Sequence, residues 1–175
     1  MEKTSNKKLL SIIYTALAIA MVTLSTMAIR IPSPRGGYVN FGDILIFTTA
    51  ALIGKRTGFI AGGIGSALAD ILGGYAIYAP GTFIIKGLEG LICGFLVRKN
   101  DEGKINIPSL AIASVLSAAW MILGYFIYEY AIFGIGTALP SIPGNIVQGS
   151  VSAIASIPIV LSIKKTKLSL NIENK

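Results

Sequence analysis

The sequence predicts an all-α membrane protein of six transmembrane helices with both termini cytoplasmic. Three observations carry that expectation. First, 53% of the 175 residues are hydrophobic and 13% charged, with a mean hydropathy of +0.73. A soluble domain has about 25% charged residues, and a core of this length cannot bury so much apolar surface, so lipid must solvate much of it. Second, the apolar residues fall into long runs separated by short breaks rich in Gly, Pro and Lys. Third, the basic residues sort to one side when those runs are threaded through a bilayer.

Leu9 to Ile29 forms the first run, 21 residues without a charge, preceded by Lys3, Lys7 and Lys8. A cleavable signal segment has a shorter apolar region of about 7–15 residues, so this run reads as an uncleaved helix. Arg30 to Gly37, with two prolines and two glycines, ends it. Phe41 to Ile53 is a short second run with Asp43 near its start, marginal as a span without neighbours to cover its ends. Gly54 to Gly58 reads as a tight basic turn, Phe59 to Leu72 as the third helix and Gly73 to Ala79 as the next turn. Pro80 suits the first turn of a fourth helix that reaches about Val97, and Arg98 to Lys104 is a polar loop. The fifth helix opens at Ile107 or Pro108 and runs to about Tyr130; Phe133 to Pro143 reads as a turn, and the sixth helix ends near Ile163.

With six spans and the N-terminus inside, the inner segments carry Lys3, Lys7, Lys8, Lys55, Arg56, Arg98, Lys99, Lys104, Lys164, Lys165, Lys167 and Lys175. The outer segments carry Arg30 and Arg35, and Lys86 lies within a span. Merging the second and third runs would bury Lys55 and Arg56 and break this pattern, so the positive-inside rule favours six spans. One domain over residues 1–175 is the economical reading, since no repeat or low-complexity tract divides the chain.

Several function classes drop out. The net charge of +7 is spread over short connecting segments rather than gathered into a nucleic-acid patch. Cys93 is the only cysteine, and no histidine is present, which excludes a His-ligated metal and a His-based triad. No G-x-x-x-x-G-K-[ST] loop occurs, and Gly62-Gly63-Ile64-Gly65 sits inside an apolar run rather than between a strand and a helix. No cofactor or metal is expected.

The stretch from Ala61 to Phe95 holds the features that point to a site: two glycine-laced apolar runs that carry Asp70, Lys86 and Glu89. An Asp or Lys at mid-helix costs roughly 2.5–3.5 kcal/mol on insertion scales, so such residues usually have a partner and a function. At about 1.5 Å per residue, Lys86 lies roughly 9 Å and Glu89 roughly 14 Å below Pro80. They share a face at i and i+3, as do Asn145 and Gln148. Asp70 or Glu89 is the expected partner of Lys86, with Asp70 either its counter-ion or a ligand contact; Asp43 reads as a helix cap, and Glu129 as an outward-snorkelling side chain. Tyr38, Tyr75, Tyr78, Tyr125, Tyr128 and Tyr130 all fall at the outer side. They fit an interfacial aromatic belt or, for Tyr78 and Tyr128 above all, the wall of a pocket for a flat ring. The polar residues of the spans thus cluster in the outer half, which suits a pocket open to one side better than a channel. Charges that only pair and pin the bundle remain the plainer alternative. Small residues stripe the third and fourth helices (Gly58, Gly62, Gly65; Gly87, Gly90, Gly94), as expected for close packing. Ala16 and Ala20 mark a similar stripe on the first helix.

Ala16-x-x-x-Ala20, Asn40-Phe-Gly-Asp43, Gly63-Ile-Gly-Ser-Ala-Leu-Ala-Asp70 and Ala79-Pro80 followed by Lys86-Gly-x-Glu89-Gly resemble the substrate-binding (S) components of energy-coupling factor transporters. The likeness is greatest to the branch linked to hydroxymethylpyrimidine and pyridoxine, and it is strongest from Tyr38 to Phe95. It implies a multi-pass, non-enzymatic subunit of a bacterial cytoplasmic membrane that binds a small heteroaromatic vitamin or precursor near the outer surface. It also implies docking, through Ala16 and Ala20, on a transmembrane coupling protein that works with two ATPases. Lys86, Glu89, Tyr78, Tyr128, Asn145, Gln148 and Asp70 are the expected substrate contacts. Riboflavin or thiamine is the alternative ligand, and a small membrane enzyme using Asp70, Lys86 and Glu89 is the alternative of another class.

Overall fold

The chain begins with α1 (Glu2–Ala28), which leads into a short antiparallel hairpin of β1 (Arg30–Pro32) and β2 (Tyr38–Asn40). Five helices follow: α2 (Gly42–Leu52), α3 (Lys55–Leu72), α4 (Ala79–Leu96), α5 (Ile107–Phe133) and α6 (Ile135–Lys165). The computed structural model describes residues 2–32, 38–100 and 103–165. Arg35, Lys167 and Lys175, and the side chains of Lys3, Lys7, Lys164 and Lys165, are part of the charge count above but lie outside the described residues.

Four segments are long and apolar enough to cross a membrane: Lys8–Ala28, Ala79–Leu96, Ile107–Phe133 and Ile135–Ile163. Their outward faces carry large apolar side chains such as Leu24, Phe95, Ile112 and Ile154, each more than half exposed. Lipid is the solvent that such a surface requires. The helix α3 has 18 residues, but Lys55, Arg56 and Asp70 lie within it. The helix α2, at 11 residues, rises only about 16 Å against a hydrocarbon core of roughly 30 Å. Its neighbours enclose it instead: α1, α3, α4 and α6 all pack against it, and most of its residues, Ile46 and Phe47 included, are buried.

Small residues set the closest helix pairs, as their spacing predicts. A side chain at Gly58 would come within 2.8 Å of the Gly90 carbonyl oxygen and of Ala50 Cβ, and one at Gly62 would collide with the Lys86 carbonyl. The α3 and α4 backbones therefore touch at the level of Lys86. On the other side of α3, the Thr23 hydroxyl of α1 lies 2.9 Å from the Gly65 carbonyl oxygen.

Two expectations about element boundaries change. Lys55 and Arg56 form the first turn of α3 rather than a loop, because Gly54, with φ 125°, makes the reversal nearly alone. The expected turn from Phe133 to Pro143 is mostly helical. Gly134, with φ 79°, joins α5 to α6, and Pro140 and Pro143 sit inside α6. Proline removes a backbone donor and strains a helix without always ending it, and here the Ser141 hydroxyl binds back to the Ala138 carbonyl at 2.9 Å.

Candidate functional site

The hairpin, α1 and the hairpin-side ends of α3 to α6 surround a cavity of about 240 Å³. Each wall has a local cause. The antiparallel register Arg30↔Asn40, Ile31↔Val39, Pro32↔Tyr38 holds Ile31, Pro32 and Tyr38 to Asn40 along one side. The Arg30 guanidinium fixes that hairpin to α3: it donates to the Ala69 carbonyl at 3.1 Å and lies 5.1 Å from the centre of the Tyr38 ring. Ser66 and Asp70 come from α3, Thr82 and Lys86 from α4, Tyr125 and Glu129 from α5, and Ser141, Asn145 and Gln148 from α6.

A buried ionic network closes the deep end. The Lys86 ammonium is 1% exposed and donates to Asp43 Oδ1 and, at 2.9 Å, to Glu89 Oε2. Both carboxylates are fully buried. Gln148 Nε2 donates to the second Asp43 oxygen at 2.9 Å, and Gln148 Oε1 accepts from the Asn40 backbone N–H at 2.9 Å. A chain of contacts thus runs from α4 through α2 and α6 to β2. Lys86 also lies 5.6 Å from the centre of the Tyr125 ring, within cation–π range.

The shallow end carries two more carboxyl groups and the tyrosines. Tyr38 donates to Asp70 Oδ1 at 2.6 Å, while Asp70 Oδ2 makes no hydrogen bond. Burial, and then the adjacent Asp70 charge, push the Tyr38 hydroxyl above its ordinary range, so it stays a donor. Glu129 is 3% exposed and binds the Ser141 hydroxyl, with the Tyr78 hydroxyl at 3.5 Å. Thr82 and Tyr125 hydroxyls meet at 3.1 Å.

Of the seven substrate contacts expected from sequence, Lys86, Tyr78, Asp70, Asn145 and Gln148 line the cavity. Glu89 and Tyr128 do not. Glu89 lies behind Lys86, and Tyr128 stands behind the wall, its hydroxyl on the Ile77 carbonyl and its ring against Gly81 and 6.1 Å from Tyr78. Three expected roles are corrected. Asp43 makes no cap: Phe41 is the N-cap residue, with no side-chain cap bond, and Asp43 is the buried partner of Lys86. Of the two expected partners of Lys86, Glu89 is one, but Asp70 is not; Asp43 holds the second place. Glu129 turns inward, because Ser141 and Tyr78 offer it partners that the sequence order hides. Sequence reasoning also passed over Asn40, Thr26, Ser66 and Thr82 as lining residues; polar side chains at apolar-run positions were the available signal. Ala16 and Ala20 lie on the exposed side of α1, while Ala18 and Val22 pack inward.

A helical, multi-pass membrane architecture with a partly open cavity lined by polar and aromatic side chains defines the general class. The chain belongs to the family described as ECF-type riboflavin transporter, S component, whose model matches residues 6–165. Among curated relatives, a protein of Lactococcus lactis subsp. cremoris (strain MG1363) named thiamine precursor transporter HmpT is 33% identical over 149 residues, covering 85% of this chain and 82% of that protein. A Pyrococcus woesei protein described as an uncharacterized protein in a gap 3' region is 43% identical over 128 residues, covering 73% of this chain and 83% of its own length. The family and the Lactococcus relative are transporters.

Removing one member of a buried ion pair costs about 3–5 kcal/mol, because the other charge is left stranded. Lys86→Met strands two carboxylates and is expected to lower stability by about that amount. Thermal unfolding of the purified protein in detergent reads the loss, and adding Asp43→Asn and Glu89→Gln to Lys86→Met should restore part of it. A Lys86→Met midpoint equal to that of the unaltered protein contradicts the network.

Proposed function

We propose that this chain is the substrate-binding subunit of an energy-coupling factor importer and that its cavity captures a single-ring heteroaromatic vitamin precursor, hydroxymethylpyrimidine or pyridoxine. The observation that carries this reading is the cavity itself. Its volume of about 240 Å³ falls below the roughly 300–1,000 Å³ typical of sites for drug-sized ligands. One substituted ring suits that space better than a three-ring flavin with its ribityl chain. Membership of a family described by riboflavin speaks for the wider ligand, while the Lactococcus relative's name speaks for a thiamine precursor. The volume favours the second.

In this reading the tyrosines flank the ring, with Tyr38, Tyr78 and Tyr125 in the wall. An ammonium has three donors; Asp43 and Glu89 take two from Lys86, which leaves one for the ligand. Gln148 is held in one orientation by Asp43 and Asn40, and Asn145 lines the same wall. Glu89 and Tyr128 act from behind, by holding Lys86 and Tyr78 in place.

The membrane arrangement belongs to the same proposal. The chain traverses the cytoplasmic membrane six times with both termini inside, the short α2 sheltered by its neighbours, and the hairpin end faces the medium from which a nutrient arrives. The exposed Ala16–Ala20 stripe of α1 meets the transmembrane coupling protein, whose two ATPases supply the energy.

Titration of the purified protein, followed by Trp120 and tyrosine emission, tests the ligand. Hydroxymethylpyrimidine or pyridoxine should bind with a Kd below about 1 μM, near −8 kcal/mol, and riboflavin much more weakly. Tight riboflavin binding with no response to either single ring overturns the assignment. Ala16→Trp should abolish uptake by cells and leave that titration unchanged; loss of ligand binding in the variant contradicts the separation of docking face from cavity.

A further inference from the structure

The charges in and directly behind the cavity wall do not balance, and Asp70 and Glu129 are the two carboxyl groups outside the Lys86 ion pairs. Four carboxyl groups (Asp43, Asp70, Glu89, Glu129) stand against two cations, Lys86 and Arg30. Lys86 is already shared by Asp43 and Glu89. The Arg30 guanidinium donates to the Ala69 carbonyl and lies by the Tyr38 ring, with its Nε–H unpartnered; its charge acts on Asp70 through space without forming an ion pair among the described residues. Asp70 is 4% exposed and lines the cavity, with Oδ1 taken by the Tyr38 hydroxyl, the Thr82 hydroxyl nearby, and Oδ2 outside hydrogen-bond geometry with any described residue. A buried carboxylate oxygen without a donor is strongly unfavourable, so a donor is expected from whatever fills the cavity. The surrounding rings point the same way. Tyr38 and Tyr78 lie beside Asp70 in the wall, and Tyr125 completes it from α5; aromatic faces next to a carboxylate form the usual setting for an organic cation.

We propose that the ligand binds as a cation, a small ring whose protonated nitrogen donates to Asp70 Oδ2, and that the site rejects the phosphorylated form of the same ring. This rests on the reading of the cavity as a site for a small heteroaromatic molecule, and adds the charge state that it selects. A phosphate ester would bring negative charge to a wall that already has an excess of it.

The titratable and charged groups around Asp70 are Arg30 and Tyr38 from the hairpin, Tyr78 and Lys86 from the start and body of α4, and Tyr125 and Glu129 from α5. Thr26 of α1, Ser66 of α3, and Asn145 and Gln148 of α6 add none. The chain has no histidine. As pH falls, protonation of a ring nitrogen strengthens binding to a carboxylate, whereas protonation of Asp70 or Glu129 would weaken it. The two effects have opposite sign and can be told apart.

Isothermal titration with hydroxymethylpyrimidine, its phosphate monoester and its ring-N-methylated quaternary form, between about pH 8 and about pH 6, tests the proposal. The free alcohol should gain about tenfold in affinity at the lower pH. The quaternary form should bind equally at both, and the phosphate monoester at least about tenfold more weakly than the alcohol. Asp70→Asn should remove the pH-dependent gain and weaken the quaternary form. An alcohol affinity that does not rise at the lower pH, a phosphate ester as tight as the alcohol, or a retained gain in Asp70→Asn overturns the proposal while leaving a small-ring site standing. Failure of all three probes and of pyridoxine at both pH values overturns the small-ring reading as well. The comparisons on the unaltered protein decide the matter even if Asp70→Asn does not fold.

Discussion

The ammonium of Lys86 is buried with its charge in the middle of an apolar bundle, held by Asp43 from one helix and Glu89 from its own. Much of the architecture can be traced from that contact. A lysine at mid-helix costs roughly 2.5–3.5 kcal/mol on insertion scales, and the paired carboxylates offset part of this only while their geometry holds. Close contact between α3 and α4 supports that geometry, since Gly62 lets the backbone of α3 lie against the Lys86 carbonyl. Asp43 brings the short helix α2 into the centre of the bundle. Through Gln148 the same carboxylate reaches α6 and the backbone of Asn40, so the ionic centre and the hairpin over the cavity are one connected structure.

The cavity inherits its character from this arrangement. Its deep end is tied together by ion pairs and hydrogen bonds among Lys86, Asp43, Glu89 and Gln148, with Glu89 Oε1 left without a hydrogen bond, and its shallow end holds two carboxyl groups outside those pairs. Glu129 binds Ser141, and one oxygen of Asp70 is left without a donor. Fully paired polar networks rigidify a fold, whereas unpaired buried acceptors mark where a partner is missing. In the proposed function, this division separates residues that shape the site from those that would meet a ligand. Lys86 belongs to both groups, while Glu89 and Tyr128 belong to the first.

Much of the fold was legible in the sequence because lipid imposes simple rules: long apolar runs form helices, and basic residues gather in short breaks. The helices α2, α4 and α5 lie close to their expected ranges, α1 starts seven residues earlier than its apolar run, and the small-residue stripes of α3 and α4 meet as their spacing suggested. The start of α6 was hidden because Pro140 and Pro143 carry a breaker signal that the helix absorbs. In the site, Lys86 and Glu89 were legible as a pair from their i, i+3 spacing. The partnership of Lys86 with Asp43 was not, since it spans 43 positions and depends on where α2 packs. Asp43 at a helix start looks like a cap and Glu129 near a helix end looks like a snorkelling side chain; only the tertiary neighbours Gln148, Ser141 and Tyr78 reverse those readings.

The central claim is that this ion-anchored cavity is built to hold one small ring. Native mass spectrometry tests it most directly, with the protein purified from cells supplied equally with hydroxymethylpyrimidine, pyridoxine and riboflavin. The account predicts a one-to-one adduct with the mass of a single-ring compound. A flavin adduct, or a chain that emerges bare, contradicts it.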